Sequence, residues 1–333
     1  MERELALEFA RVTEAAALAA ASWVGRGDKI AADDAAVTAM RVMFDTVSVD
    51  GVVVIGEGEM DEAPMLYIGE KVGIGVPPEV DIAVDPLEGT NIVAKGLTGA
   101  IAVLAAAPRG SLLHAPDMYM EKIAVGPECK GRVYLEASVK ENLREVARAL
   151  NKLMSEVTVV ILDRPRHQEI IDQVRSAGAR IKLITDGDVS PAVAAAYDNS
   201  EVDILMGIGG APEGVITAAA LKCLGGDFQA RLYPEGEEAP DEIRRCHEMG
   251  ISDINKIFTI DELAKSDDVI FAATGITDSF LLRGVRYHKR RAITQTLIMR
   301  SKSGTVRHIE ATHNLDKKPL FKDKRMKFTS GLN

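Results

Sequence analysis

Apolar residues recur at spacings of three and four from the start of the chain. Leu5, Phe9, Val12, Ala16 and Ala19 share one register, which predicts an amphipathic helix over residues 2–24. Gly25 and Gly27 interrupt it, and Asp33 or Asp34 is placed to cap a second helix running through Val37, Met40 and Phe44 to about Val47. The pattern then changes to short β-rich runs: VVVI at 52–55, VDIAV at 80–84, AIAVLA at 100–105 and KIAV at 122–125. From Val139 onward, helices expected over 139–154, 167–177 and 190–197 alternate with the apolar strands VTVVIL (157–162), RIKLI (180–184) and DILMGI (203–208). Continuous apolar strands separated by helices of this length predict parallel βαβ units buried on both faces. A further helix is expected from Pro212 to Leu224. After it come the strand VIFAAT (269–274), a hairpin of ITQTLIMR and TVRHIEA around Ser301–Gly304, and a charged surface tail, KKPLFKDKRMKF.

Composition narrows the class of protein. A chain of 333 residues with 47% hydrophobic and 27% charged residues can bury a large core, as two domains or one large one. The net charge of −10 disfavours a nucleic-acid partner, so an anionic substrate needs local cations, either metal ions or a few placed arginines. Cys129, Cys223 and Cys246 form no CxxC pair and read as reduced thiols. The first residues carry acidic groups at helical spacing, unlike a signal peptide. No apolar run reaches the roughly 18 residues that a membrane span requires, and the expected location is the cytoplasm.

The informative feature is where the acidic residues fall. Glu57 and Glu59 lie in IGEGEMDE, Asp85 and Glu88 in DPLEGT, and Glu213 in GIGGAPEG, each just past a buried-looking strand. Each is flanked by Gly or Pro, so each sits where the chain leaves a strand and turns, which is where binding groups project. Clustered carboxylates repel one another unless cations neutralise them, and all-oxygen ligand sets suit Mg²⁺ and Mn²⁺.

DPLEGT resembles the D-P-(apolar)-(D/E)-G-T motif of the magnesium-dependent, lithium-sensitive phosphatase superfamily, which includes inositol monophosphatases and fructose bisphosphatases. Its companions are GDKIAADD (27–34), VIGEGEMDEAPMLYIGE (54–70), DRPRH (163–167), TDGDVS (185–190) and MGIGGAPEGVITAAALKCLGG (206–226). Together, in this order and spacing, they resemble the class II (GlpX-type) fructose-1,6-bisphosphatase family from about residue 20 to residue 315. The resemblance implies an α/β fold with layered α-β-α-β-α architecture, and hydrolysis of fructose 1,6-bisphosphate to fructose 6-phosphate and phosphate in gluconeogenesis. It also implies two or more Mn²⁺ or Mg²⁺ ions per site and a homo-oligomer, dimer or tetramer. Metal ligands carry over onto Asp33, Glu57, Asp85, Glu88 and Glu213, and catalytic roles onto Lys29, Asp61 and Thr90. Substrate contacts carry over onto Glu88, Gly89, Thr90, Tyr119, Arg164, Pro165, Arg166, Asp186, Gly187, Asp188 and Gly210. The expected organisation is a metal-binding half over 1–150, a substrate-phosphate-binding half over 151–320 and a tail over 321–333. A dual fructose-1,6-/sedoheptulose-1,7-bisphosphatase and a non-catalytic sugar-phosphate sensor are the alternatives.

The chemistry of these residue types agrees with that reading. Phosphate-ester hydrolysis needs a positioned nucleophile and neutralised charge on the transferring group. Thr90 either orients a water or itself attacks, and the sequence leaves both open; Asp61 suits a general base, and Lys29 can neutralise developing charge. Arg164 and Arg166 directly follow the strand VTVVIL, which in a parallel sheet puts them in the crevice at the carboxyl ends of the strands; their planar forks suit a second phosphate. Asp186 and Asp188 end the next strand and can reach sugar hydroxyls. GIGGAP carries Pro212 where the dinucleotide fingerprint needs its third glycine, and the histidines show no paired metal spacing.

Overall fold

The structure is a computed structural model that describes residues 1, 4–58, 65–197 and 200–318. The chain opens with α1 (Leu5–Ala21) and α2 (Lys29–Phe44). The side chain of Asp28 caps α2 by accepting the Ala31 N–H at 3.0 Å. The cap is therefore Asp28 rather than Asp33 or Asp34, and Asp33 lies inside the helix, one turn after Lys29. Strands β1 (Asp50–Ile55), β2 (Lys71–Val72) and β3 (Glu79–Glu88) follow, then α3 (Thr90–Lys95), β4 (Ile101–Pro108) and β5 (Tyr119–Val125). The middle of the chain runs α4 (Val139–Ala149), β6 (Thr158–Leu162), α5 (Gln168–Ala177), β7 (Arg180–Ile184), α6 (Val189–Ala194), β8 (Ile204–Gly210) and α7 (Ala211–Leu224). It continues through β9 (Asp227–Tyr233), α8 (Ala239–Glu248), β10 (Phe258–Thr259) and α9 (Ile260–Leu263). It ends with β11 (Ile270–Gly275), β12 (Arg286–His288), β13 (Arg291–Arg300) and β14 (Thr305–Asn314).

These strands build two mixed sheets. Among the described residues the first has eight strands in the order β12-β13-β11-β4-β3-β1-β2, with β14 also paired to β13; the second has six, in the order β10-β9-β5-β8-β6-β7. The expected parallel βαβ units are present, since β6 pairs in parallel with both β7 and β8. The hairpin of β13 and β14 is present as well. Neither sheet follows a division near residue 150. β5 leaves the first half of the chain to join the second sheet, and β11 to β14 return from the far end to complete the first. The tail over 321–333 lies outside the described residues.

The layers follow from which faces are apolar. In β4, Ile101, Val103, Ala105 and Ala107 pack into a core between the sheets, while Ala102, Leu104 and Ala106 pack against α1 and α2. A strand buried on both faces reads as an unbroken apolar run, which is why AIAVLA shows no alternation. On the central side, α6 and α7 fill the space between the sheets with Ala192, Val193, Val215, Ile216 and Ala219. On the far side, Leu143 and Val146 of α4 and Ile171 and Val174 of α5 cover β6 and β8. The result is helices, sheet, helices, sheet, helices, with the carboxyl ends of β3 and β6 opening toward a common crevice.

Candidate active site

That crevice holds a cavity of about 440 Å³ lined from both sheets. Its acidic wall contains Asp33, Glu57, Asp85, Glu88 and Glu213; of the other expected residues, Gly89, Thr90, Tyr119, Arg164, Arg166, Asp186, Gly187, Asp188 and Gly210 line it too. Lys29 and Pro165 are exposed and do not line it. Lys29 starts α2, four residues before Asp33, and Pro165 opens the short turn that carries Arg166. Asp61 lies outside the described residues.

Local geometry explains why the acids converge. Alternation along β3 would send Asp85 and Glu88 to opposite faces. The pairing of β3 with β4 slips between these two residues, and such a bulge re-aims side chains, so both line the cavity. The Asp85 carboxylate also accepts the Leu87 N–H at 3.0 Å. Glu213 enters from the first turn of α7. The glycines before it leave room for the acids: a Cβ on Gly210 would lie 1.9 Å from Glu213 Oε2, and one on Gly209 would lie 2.0 Å from Asp188 Oδ2, so a side chain there would displace those carboxylates.

The acidic wall is electrostatically uncomfortable. Burial, then the neighbouring Asp34 charge, pushes Asp33 up to about 6, although a hydrogen bond with Glu57 works in the opposite direction. Burial and the Asp33 charge push Glu57 up to about 8, with Glu213 and Asp117 adding to the effect. Asp85 stands well above the usual carboxylate range through burial and repulsion from Glu213, Glu57, Glu88 and Asp33. Glu88 is raised by burial and by Asp188, partly offset by the Val189 N–H that it accepts at 2.6 Å. Burial also raises Glu213, opposed by the charge of Lys122. Glu88 Oε2 and Glu213 Oε2 are buried and have no hydrogen-bond partner among the described residues, and buried oxygens left without partners point to a missing donor or ion.

Among the described residues, no three acidic, histidine or cysteine side chains are already closed around one point for a metal ion. The five carboxylates share the lining of one cavity, and the charge of Asp85 is felt against those of Asp33, Glu57, Glu88 and Glu213. The donor set still fits a hard divalent cation: every group is a carboxylate, the charges repel, and two oxygens lack partners.

The opposite wall carries its own cations. Arg166 donates to the Ile208 carbonyl at 3.0 Å and lies 4.1 Å over the Tyr119 ring, so Tyr119 supports the arginine rather than filling the core. Arg164 approaches Asp186 at 4.0 Å. Asn91, just after Thr90, donates to Asp186 Oδ2 from its backbone at 3.4 Å and its amide at 3.3 Å. Asp186 thus ties the α3 end of the first sheet to the second.

Three participants escaped the sequence reading, and a fourth, His167, is structural as its lack of paired metal spacing suggested. Asp117 lines the cavity, Lys122 is buried against Asp188 at 2.7 Å, and Asn91 holds Asp186. His167 is buried behind the arginine turn. Its Nδ1 meets the Leu162 carbonyl at 2.7 Å, and its Nε2 accepts the Ile208 N–H at 2.7 Å. That pairing fixes a neutral tautomer, and burial lowers the ring's affinity for a second proton. Only Lys122 carried a sequence signal, as a charged residue inside the apolar run MYMEKIAV.

Comparison with known proteins agrees with this geometry. The family described as bacterial fructose-1,6-bisphosphatase, glpX-encoded, matches residues 3–313. The class 2 fructose-1,6-bisphosphatase 1 of Escherichia coli K12 is 51% identical over 328 residues, covering 96% of this chain and 97% of that protein. The class 2 enzyme of Haemophilus influenzae is 50% identical over 326 residues, covering 95% and 98%. A match across nearly the whole of both chains, over a cavity that opposes carboxylates to arginines, places this chain in the bacterial, glpX-encoded fructose-1,6-bisphosphatase family.

Proposed function

We propose that the chain hydrolyses the 1-phosphate ester of fructose 1,6-bisphosphate, and that Asp33, Glu57, Asp85, Glu88 and Glu213 hold the Mn²⁺ or Mg²⁺ ions this requires. The observation that carries the reading is one cavity with a carboxylate wall facing an arginine wall. A bisphosphate needs both, since one phosphate reacts and the other anchors. When bound, the ions supply positive charge to the transferring phosphoryl group.

The protein's own residues do the rest. Thr90 lines the cavity two residues beyond Glu88, where its hydroxyl orients the attacking water or attacks in its place. Asp61 takes the proton, and Lys29 at the head of α2 offsets charge near Asp33. Arg164 and Arg166 hold the distal phosphate, with Arg166 kept flat by the Tyr119 ring. Asp186 and Asp188 accept from sugar hydroxyls, and Gly89, Gly187 and Gly210 let backbone approach the ligand. Pro165 shapes the turn between the arginines. From the family we also infer a cytoplasmic homo-oligomer; among the described residues no helix is long and apolar enough to cross a membrane.

The test is phosphate release from fructose 1,6-bisphosphate with Mn²⁺, Mg²⁺ or EDTA, beside sedoheptulose 1,7-bisphosphate and inositol 1-phosphate. Metal-dependent turnover of the fructose ester is expected. Equal turnover of the seven-carbon ester would widen the function to a dual bisphosphatase. No turnover of either bisphosphate with either metal would overturn the reading in favour of a sugar-phosphate sensor.

A further inference from the structure

Lys122 has no role in the chemistry described so far, yet its side chain is 1% exposed and its Nζ lies 2.7 Å from Asp188 Oδ2. It sits in the middle of β5 on the same face as Met120 and Ala124, which pack into the core between the sheets. A lysine in such a place is costly unless paired. Two glycines pack beside it: a Cβ on Gly209 would lie 3.1 Å from its Nζ, and one on Gly214 of α7 would lie 3.5 Å from its Cε, although the nearest atoms to them would be Asp188 Oδ2 at 2.0 Å and Met120 Sδ at 2.7 Å. The Lys122 charge also reaches Glu88 and Glu213, the two acids with an oxygen left without a partner among the described residues.

We infer that Lys122 is a resident counter-cation of the acidic wall, a positioning residue that keeps Asp188 out of the metal-binding set and fixes how much positive charge the cavity still needs from divalent ions. The inference rests on the metal reading above. Asp188 lines the same cavity as the five proposed ligands and is, like them, a carboxylate. What separates it from them is that Lys122 already neutralises it, whereas no cation of the chain pairs directly with Glu88 or Glu213 among the described residues. Removing the lysine charge should leave one more uncompensated carboxylate and make the cavity a tighter cation site. Removing both charges should restore the original balance.

The experiment is Mn²⁺ titration followed by the electron paramagnetic resonance of the free ion, on the metal-free full chain. It compares the unaltered protein with Lys122→Met, Asp188→Asn and the double variant. Lys122→Met is expected to bind Mn²⁺ more tightly, on the order of ten-fold for a charge within about 10 Å at an intermediate dielectric. Asp188→Asn is expected to bind more weakly by a similar factor, and the double variant to return to the starting affinity. A merely structural lysine would weaken binding in every variant that lacks it. If Lys122→Met alone does not fold, the double variant should still bind more tightly than Asp188→Asn. Binding that is unchanged or weaker on losing the lysine, in either background, overturns the inference alone. Absence of Mn²⁺ binding by the unaltered chain overturns the metal reading together with it.

Discussion

The two walls of the cavity solve the problem of charge in opposite ways. The first-sheet wall, with Glu213 of α7, is half-buried to buried, all acidic and, among the described residues, short of partners. Burial, and then repulsion among the carboxylates themselves, make Glu57 and Asp85 hold their protons above the ordinary range. The second-sheet wall is more exposed and internally balanced: Arg166 lies on Tyr119 and donates to Ile208, and Arg164 stands opposite Asp186. One wall requires an ion from outside, whereas the other brings its own cations. The proposed function uses this difference: the reacting phosphate would meet the acidic wall, where ions can neutralise charge, and the spectator phosphate the arginines.

The sharpest way to break this contrast is at Glu213. Glu213→Ala removes a wall carboxylate from the rigid first turn of α7, and kcat for fructose 1,6-bisphosphate is expected to fall by about a thousand-fold or more, as for loss of a charge-stabilising group. A loss of less than about ten-fold in a phosphate-release assay would remove it from the ligand set. On the other wall, Arg164→Ala or Arg166→Ala should act on binding, raising KM about ten- to a hundred-fold with a smaller change in kcat. The same variants should barely affect fructose 1-phosphate, which lacks the second anion. An equal effect on both substrates would mean that the arginines serve the reacting end.

Smaller effects test the join between the walls. Asn91→Ala frees Asp186, and a loss of about five-fold in kcat/KM is expected from one neutral hydrogen-bonding group; unchanged kinetics would show that Asp186 is positioned by Arg164 alone. The last test is pH. Asp33 and Glu57 titrate at about 6 and about 8 in the fold, above their unfolded values near 4. The folded state therefore binds more protons, and the stability these groups contribute is fully present below about pH 4 and lost as pH rises through 6 and 8. The metal-free protein should melt a few degrees lower at pH 8 than at pH 5, and saturating Mn²⁺ should flatten that slope. A metal-free melting temperature that rises over this interval would contradict the electrostatics of the acidic wall.

Much of the acidic wall was legible because turning out of a buried strand needs Gly or Pro, and those residues flag Glu57, Asp85, Glu88 and Glu213 locally. The strands of the core were legible for a related reason: burial on both faces leaves an unbroken apolar run. The cap of α2 was misplaced because GDKIAADD offers three aspartates, and only the backbone geometry shows that Asp28 receives the Ala31 N–H. Asn91 and Lys122 act through partners about 95 and 66 positions away in sequence, and no local pattern encodes such pairings. The return of β11 to β14 to the first sheet was hidden for the same reason.

That return has a consequence for biosynthesis. β4 pairs with β3 on one side and with β11 on the other, yet β11 emerges from the ribosome only after every strand of the second sheet. Until then β4 presents an open apolar edge, the kind of surface that recruits other chains. A nascent or truncated product ending before Ile270 would carry every acidic and arginine side chain of the cavity on an unfinished sheet. Pairings this distant also close slowly, so this chain should depend on protection during synthesis more than its size alone suggests.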